Sequence, residues 1–222
     1  MNNLTLVIPA KKEKESLSQV LNELKPYNLK TLVVLEKEDI ETIETINDKN
    51  CEILYQKNKG YGDALIQGIN HVKTDLFCIF NADGSFNPIE IKNMLEIIEK
   101  SDSDIVFASR YEKNCSSEDD TIVTSIGNFL FTLIGKIFFR LKISDILYTF
   151  VIGKTEKVKN LNLQSSDFVF CVELPIKANR AKLKLITSNS NERARIGGKK
   201  KVNAFKDGLR ILIGMFKLLF KN

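Results

Sequence analysis

The first half of the chain alternates short apolar runs with amphipathic segments, and this alternation constrains the fold more than any other feature. The run LTLVIP (Leu4–Pro9) is short, β-branched and without an amphipathic helix period, so it predicts a buried strand. KTLVVLE (Lys30–Glu36), CEILYQ (Cys51–Gln56), DLFCIF (Asp75–Phe80) and DIVFAS (Asp104–Ser109) are short apolar runs that predict four more strands. Leu17, Val20, Leu21 and Leu24 recur at helical spacing within Lys12–Tyr27, a helix stopped at Pro26. Further helices are predicted over Asp39–Asp48, with Ile40, Ile43 and Ile46 on one face, over Gly62–Val72 and over Asn87–Lys100. Strands joined through helices by short connections predict an α/β fold: a mostly parallel sheet with helices on both faces.

After Ser109 the pattern changes. Residues 122–143 and 202–220 read as helices rich in aromatic residues and punctuated by Lys and Arg, and Asp167–Asn189 reads as strand or loop, helix, then strand. A chain of 222 residues supports one substantial core, so a single domain with halves 1–120 and 121–222 is expected. The net charge of +5 hides an asymmetry. Lys177–Asn222 holds thirteen Lys or Arg against two acids, leaving +11 there and −6 on residues 1–176. A basic segment of this kind fits an anionic partner, whether phosphate, nucleic acid or a membrane surface, or simply a solvated Lys-rich face.

The four cysteines lie far apart with no C-x-x-C pair and read as reduced cytosolic residues, Cys78 and Cys171 in the core. His71 is the only histidine, which leaves almost nothing for a His-based metal site or a Ser-His-Asp triad, and it reads as a helix-surface residue. The longest apolar run, Thr121–Gly135, ends at Lys136 and falls short of the roughly 20 residues a membrane-spanning helix needs. The expectation is a chain that lies on a membrane rather than crossing it.

Ligands of open α/β sheets bind beyond the C-terminal ends of the strands, so the residues just after each strand matter most. They are Pro9, Ala10 and Glu13; then Glu36; then KNKGYGDA; then Asn81, Asp83 and Ser85; then Ser109, Arg110 and Tyr111. KGYGDA alone is a weak phosphate signal. Leu65 stands where G-x-G-x-x-G has its third glycine, the Walker Lys is missing, and Gly60 and Gly62 serve equally well as tight-turn residues.

Five blocks in order give a stronger signal. LVIPAKKEKESL resembles the V-I-P-A-x-N-E block of the family 2 glycosyltransferases of GT-A fold, in particular their dolichyl- or polyprenyl-phosphate mannosyltransferase-like branch. NKGYGDALIQGI resembles N-x-G-x-G-x-A-x-x-x-G at Asn58, Gly60, Gly62, Ala64 and Gly68. FNADGSFNP is similar to D-A-D-G-S-x-x-P, SDIVFASRY to D-I-V-x-G-S-R-Y, and ERARIGGKKK to R-x-x-G-x-S-K through Arg195, Gly198 and Lys201. The blocks span nearly the whole chain at the family's spacings.

The resemblance implies a Rossmann-like GT-A sheet with added C-terminal amphipathic or interfacial helices. It also implies a nucleotide-diphosphate sugar as donor and a polyprenyl-phosphate lipid or membrane surface as partner, at the cytoplasmic face. No nucleic acid is expected. Residues 1–120 become the nucleotide-sugar half and 121–222 the acceptor half. Pro9, Ala10, Glu13 and Glu36 would hold the nucleoside, with Gly60, Gly62, Asn81 and Ala82 lining the donor. Asp83 would bind Mg²⁺ or Mn²⁺, and Arg110, Arg195 and Lys201 would hold the acceptor phosphate or the leaving diphosphate. Ser109, Asp145 and Lys200 are the acceptor-side candidates.

The chain departs from the family pattern at named positions. Asn81 replaces the first Asp of Asp-x-Asp, Leu35-Glu36 stands for Asp-Asp, Lys200 replaces a Ser, and of D-x-x-S-G-F-[RK] only Asp145 and Phe150 remain. A sugar-hydroxyl acceptor would need a general base, for which Asp145 and Glu173 are candidates. A non-catalytic module binding nucleotide or lipid phosphate is the other alternative. Gly127–Ile143 and Leu209–Asn222 combine bulky apolar residues with Lys136, Arg140, Lys142, Arg210, Lys217 and Lys221, which fits helices lying in a headgroup region, packing together or forming a homodimer interface.

Overall fold

A computed structural model describes residues 3–47, 50–198 and 200–220; Asp48 of the second predicted helix, Lys199 of the basic loop and Lys221 lie outside the described residues. The first half runs β1 (Leu4–Pro9), α1 (Leu17–Leu24), β2 (Lys30–Leu35), α2 (Ile40–Ile43), β3 (Cys51–Tyr55), α3 (Tyr61–His71), β4 (Leu76–Ile79), α4 (Ile89–Lys100) and β5 (Ile105–Ser109). It is followed by β6 (Ser116–Ser117), α5 (Ile122–Phe139), β7 (Val151–Lys154), α6 (Thr155–Lys159), α7 (Phe170–Arg180), β8 (Leu185–Asn189), β9 (Asn191–Glu192) and α8 (Ala204–Phe220).

Seven strands form one sheet in the order β3-β2-β1-β4-β7-β5-β8. All neighbours are parallel except β7, which runs antiparallel between β4 and β5. The second half of the chain therefore contributes β7 and β8 to the same sheet. β7 is absent from the sequence expectation; it has four residues, and its Gly153 lies against the ring of Phe77. A separate two-stranded ribbon pairs β6 with β9.

The period of two in β1 sends its side chains into separate cores. Leu4, Leu6 and Ile8 pack with Leu17, Val20, Ile91 and Met94 of α1 and α4, whereas Val7 packs with Leu65, Ile69 and the α7 side. Cys78 and Cys171 are buried, and His71 at the end of α3 sits 2.6 Å from Glu52 on the surface.

Three helix expectations change. α1 starts at Leu17 rather than Lys12, because Lys12 adopts a left-handed conformation (φ 53°) and the turn after it aims Glu13 inward. α2 stops after one turn, and Ile40 is exposed instead of sharing a buried face with Ile43 and Ile46. α5 ends at Phe139, where Arg140 takes a left-handed C-cap. By length and composition α5 is apolar enough to cross a membrane. Its Asn128, Thr132, Gly135 and Phe139 nevertheless pack into the domain.

Candidate functional site

β1 and β4 end side by side. Ala10 N–H donates to Val34 O and Phe80 N–H to Val7 O, so the chain leaves the sheet at adjacent points. The turn after β4 is held from both sides. Asp83 Oδ1 accepts from Ser85 N–H at 3.0 Å, and Asn81 Nδ2 donates to Ser85 Oγ at 3.1 Å. Beneath it Phe86 stacks on Phe150 at 4.7 Å and meets Phe80 edge-on, which fixes the turn on the core. Asp83 is thereby delivered to the rim, with Oδ2 left for Arg195.

A cleft of about 730 Å³ opens over these strand ends. Of the residues expected from sequence, Pro9, Ala10, Glu13, Glu36, Gly60, Asn81, Ala82, Asp83, Arg110, Arg195 and Lys201 line it. Gly62, Ser109, Asp145 and Lys200 do not.

The two glycines of KGYGDA are explained by packing. A Cβ on Gly60 would lie 2.1 Å from Ser166 O, and one on Gly62 would lie 2.0 Å from Ser165 O. Gly60 also has φ +126°, which disfavours a side chain. Their bareness lets the segment at 165–167 cross the start of α3, where Ser166 O accepts from Asp63 N–H.

The basic loop between β9 and α8 lies over the Asp83 turn. Arg193 N–H donates to Ser85 O and Ile196 N–H to Asp83 O, both at 2.8 Å. Arg195 then places a guanidinium nitrogen 3.2 Å from Asp83 Oδ2, with Nε 3.2 Å from Asp119 Oδ1. Burial works against its charge, but Asp119 and Asp83 outweigh it and raise its pKa. Lys201 reaches Glu13 through a close ion pair. Burial still holds the Glu13 carboxyl above the ordinary value, against the pull of Lys201. Lys200 turns aside to Asp119 at 3.1 Å, and Gly198 N–H is tied to Glu15 Oε2 at 2.8 Å.

Arg110 lines the cleft, but its fork is engaged within the fold. Nε and one NH₂ group donate to both oxygens of Asp145 at 2.8 and 3.1 Å, and the other donates to Glu192 at 3.0 Å. Its guanidinium also lies over the Tyr148 ring. Burial disfavours the charge, yet Asp145 and Glu192 push its pKa well up. Asp145 is further held by Asn128 Nδ2 at 2.6 Å, and Ser109 is buried with Oγ bonded to Ser144 and Tyr111. Glu173 is likewise internal, accepting from Gln164 and Ser165 N–H and pairing with Lys177. Asp145, Ser109 and Glu173 are thus built into the scaffold behind the cleft.

The sequence reading missed the acids that set these cations. Asp119 holds Arg195 and Lys200, and Glu192 holds Arg110. Neither lies just after one of the five strands read from sequence, so the strand-end rule had no reason to find them. Gln56, Tyr61 and Asp167 also line the cleft.

Whether the donor set suits a divalent metal depends on what the chain supplies. Among the described residues no cluster of three or more His, Cys, Asp or Glu could hold one. Asp83 offers one carboxylate, with Asn81 beside it in the lining. Hard cations such as Mg²⁺ take one or two carboxylates and complete their shell with substrate phosphate and water, so the residues fit a metal that arrives with a diphosphate.

Comparison with known proteins gives a consistent family. The chain is 26% identical to a dolichol-phosphate mannosyltransferase of Pyrococcus furiosus, over 96% of this chain and 64% of that protein. It is 22% identical to a low-salt glycan biosynthesis hexosyltransferase of Haloferax volcanii, covering 93% of this chain and 51% of the relative. The chain thus spans about half to two thirds of the length of these curated relatives. A solved glucosyl-3-phosphoglycerate synthase from Mycobacterium tuberculosis, in complex with Mn²⁺, UDP and glucosyl-3-phosphoglycerate, superposes with a TM-score of 0.79. That match covers 100% of this chain and 81% of the other at 12% identity, and shows a shared fold. The glycosyl transferase family 2 model matches residues 5–161, from β1 past α6, and the chain belongs to that family.

Proposed function

We propose that the protein transfers a hexose, with inversion, from a nucleotide-diphosphate sugar of the GDP-mannose or UDP-glucose type to a polyprenyl-phosphate lipid at the cytoplasmic membrane face. The observation that carries this reading is the meeting of Asp83, Glu13, Arg195 and Lys201 in one cleft at the ends of β1 and β4. Residues 1–120 form the donor half of the domain and residues 121–222 the acceptor half. Pro9, Ala10, Glu13 and Glu36 hold the nucleoside, and Asn81, Ala82 and Asp83 face the diphosphate. Asp83, together with the donor's own phosphates, would hold a divalent cation, Mg²⁺ or Mn²⁺, which when bound would supply Lewis-acid stabilisation to the departing diphosphate. Arg195 and Lys201 exchange carboxylate partners for phosphate oxygens, and Arg110, clamped by Asp145 and Glu192, fixes the shape of the cleft wall behind them.

A phosphate acceptor is already anionic, so displacement needs positioning and charge stabilisation rather than a strong base. The engagement of Asp145 and Glu173 within the fold supports that choice over a hydroxyl acceptor. The exposed apolar residues of α5 and α8, interleaved with Lys136, Arg140, Arg210 and Lys217, support contact with a lipid surface. The Pyrococcus relative carries a lipid-phosphate acceptor in its name.

A second reading follows from the solved neighbours, whose bound phosphoglycerate offers a hydroxyl. Asp167, in the cleft lining, is the carboxylate that reading would need as base. The deciding experiment incubates the protein with GDP-mannose or UDP-glucose and Mn²⁺, offering polyprenyl-phosphate and phosphoglycerate in parallel. Lipid-linked sugar is expected, and Asp83→Ala should slow its formation about 100-fold. Sugar appearing only on phosphoglycerate would select the second reading, and an Asp83→Ala rate equal to the wild type's would remove Asp83 from the mechanism.

A further inference from the structure

The cations of the cleft are not equivalent. Lys11 is paired with Glu36, Arg110 with Asp145 and Glu192, Arg195 with Asp83 and Asp119, Lys201 with Glu13, and Arg210 loosely with Asp207 at 3.5 Å. Among the described residues that line the cleft, Lys206 alone carries a cationic head without an ion pair. An anion can be met there without breaking a native pair.

The geometry of α8 gives this lysine a setting. Asn203, Lys206, Asp207 and Arg210 recur at i, i+3, i+4 and i+7 and together line the cleft. Asp207 is buried and committed to the helix start, since its Oδ2 accepts from Asn203 N–H at 2.7 Å. Oδ2 is therefore committed to the backbone while Oδ1 faces Arg210, and Lys206 leaves the stripe with a net positive charge. A second stripe, Ile211, Met215 and Leu218, anchors the helix in the core, and Gly214 lies against Val169. The remaining face exposes Leu209, Leu212, Ile213, Phe216 and Phe220 beside the exposed apolar side of α5. One end of a ligand following this helix would meet cations, and the rest would meet hydrocarbon.

We propose that Lys206 and Arg210 form the subsite for the acceptor's phosphate, and that its chain runs along the exposed apolar face of α8 beside α5. The ligand is a phosphomonoester on a long apolar chain. Charge complementarity decides this: Lys206 and Arg210 stand at the cleft end of the stripe, and Lys217 follows on the same helix. The proposal rests on the lipid-phosphate reading above and adds residues that lie outside the five sequence blocks. It relocates the acceptor end from Ser109, Asp145 and Lys200, which lie outside the cleft lining, to the first turns of α8.

The test measures binding by calorimetry on the full chain, without donor, so that it does not depend on turnover. The probes are a soluble short-chain prenyl monophosphate, the matching prenyl alcohol, glycerol phosphate and inorganic phosphate. The wild type should bind the prenyl monophosphate best, and Lys206→Glu with Arg210→Gln should weaken it about tenfold or more, the scale of losing charge-assisted hydrogen bonds. Nucleoside-diphosphate affinity should stay unchanged in the same variant, as should prenyl monophosphate binding by Lys157→Glu on the distant surface of α6. Unaltered binding by the double variant, equal binding of glycerol phosphate and prenyl monophosphate, or no binding by the wild type would each overturn the subsite. If the wild type binds the lipid through Lys206 and Arg210 but never transfers sugar to it, the subsite stands and the transferase reading with this acceptor fails.

Discussion

The guanidinium of Arg195 lies 3.2 Å from the Asp83 carboxylate, joining the turn after β4 to the loop before α8. Each of these residues supplies counter-charge to the other. A diphosphate with its metal would replace this contact by two, Arg195 to phosphate and Asp83 to metal, so the two residues act as a unit. Asp83→Ala and Arg195→Gln should each lower kcat/KM by about 100-fold, the scale of removing one preorganised electrostatic contact. Their combination should fall well short of the product of the single losses. Steady-state kinetics on the four proteins measures this, and strictly multiplicative losses would show that the residues work independently.

The Arg110–Asp145 pair gives a different expectation, because it is a buried clamp rather than a reactive pair. Asp145 has no exposed side chain, and both its oxygens accept hydrogen bonds. Asp145→Asn keeps the shape but leaves the Arg110 charge short of a partner, a change expected to cost about 3 kcal/mol. Urea unfolding should show that loss. If Asp145 instead acted as a general base, the variant would keep its stability and lose turnover, with the acidic limb of the kcat profile gone.

Gly62 is expected to be intolerant for a packing reason. Its added Cβ would meet two carbonyl oxygens, Ser165 O at 2.0 Å and Asp167 O at 2.7 Å, neither at the end of a flexible side chain. Gly62→Ala should destabilise by about 1–3 kcal/mol and loosen the 165–167 segment. Protease sensitivity at that segment, alongside the melting temperature, would report it. An alanine variant with wild-type stability would mean that the segment shifts freely, and that the glycine is needed for something else.

The division between legible and illegible parts follows from range. β1 to β5 were readable because a short apolar run between turns is a local signal, and the strand-end rule then pointed to Glu13, Asn81 and Asp83 without any knowledge of contacts. β7 was unreadable: four residues with a central glycine carry little period, and its place between β4 and β5 is set by pairing with distant strands. The cations were visible as a basic loop, but their partners were not. Asp119 comes from the segment before α5 and Glu192 from a two-residue strand, and only the β6–β9 ribbon brings both beside the cleft.

Three buried acids should make stability fall as pH rises through the weakly acidic range. Burial holds the carboxyls of Glu13, Glu90 and Glu192 above the ordinary value, in each case against hydrogen bonds or cations that pull the other way. Such a group binds its proton more readily folded than unfolded. Its contribution to stability is complete below the unfolded value of 4.5 and is lost as pH rises through the folded value. Glu90 is the cleanest probe, since it lies behind the cleft, accepting from Ser190 Oγ at 2.5 Å and Asn191 N–H at 2.8 Å. Glu90→Gln replaces the titrating group with one that is neutral at every pH. The wild type should therefore gain stability relative to the variant as pH is lowered from about 8 to about 5. Paired urea titrations at the two pH values measure the difference. A gap between the two proteins that stays constant would mean that Glu90 keeps the same proton affinity folded and unfolded, and that Ser190 and Asn191 fully offset its burial.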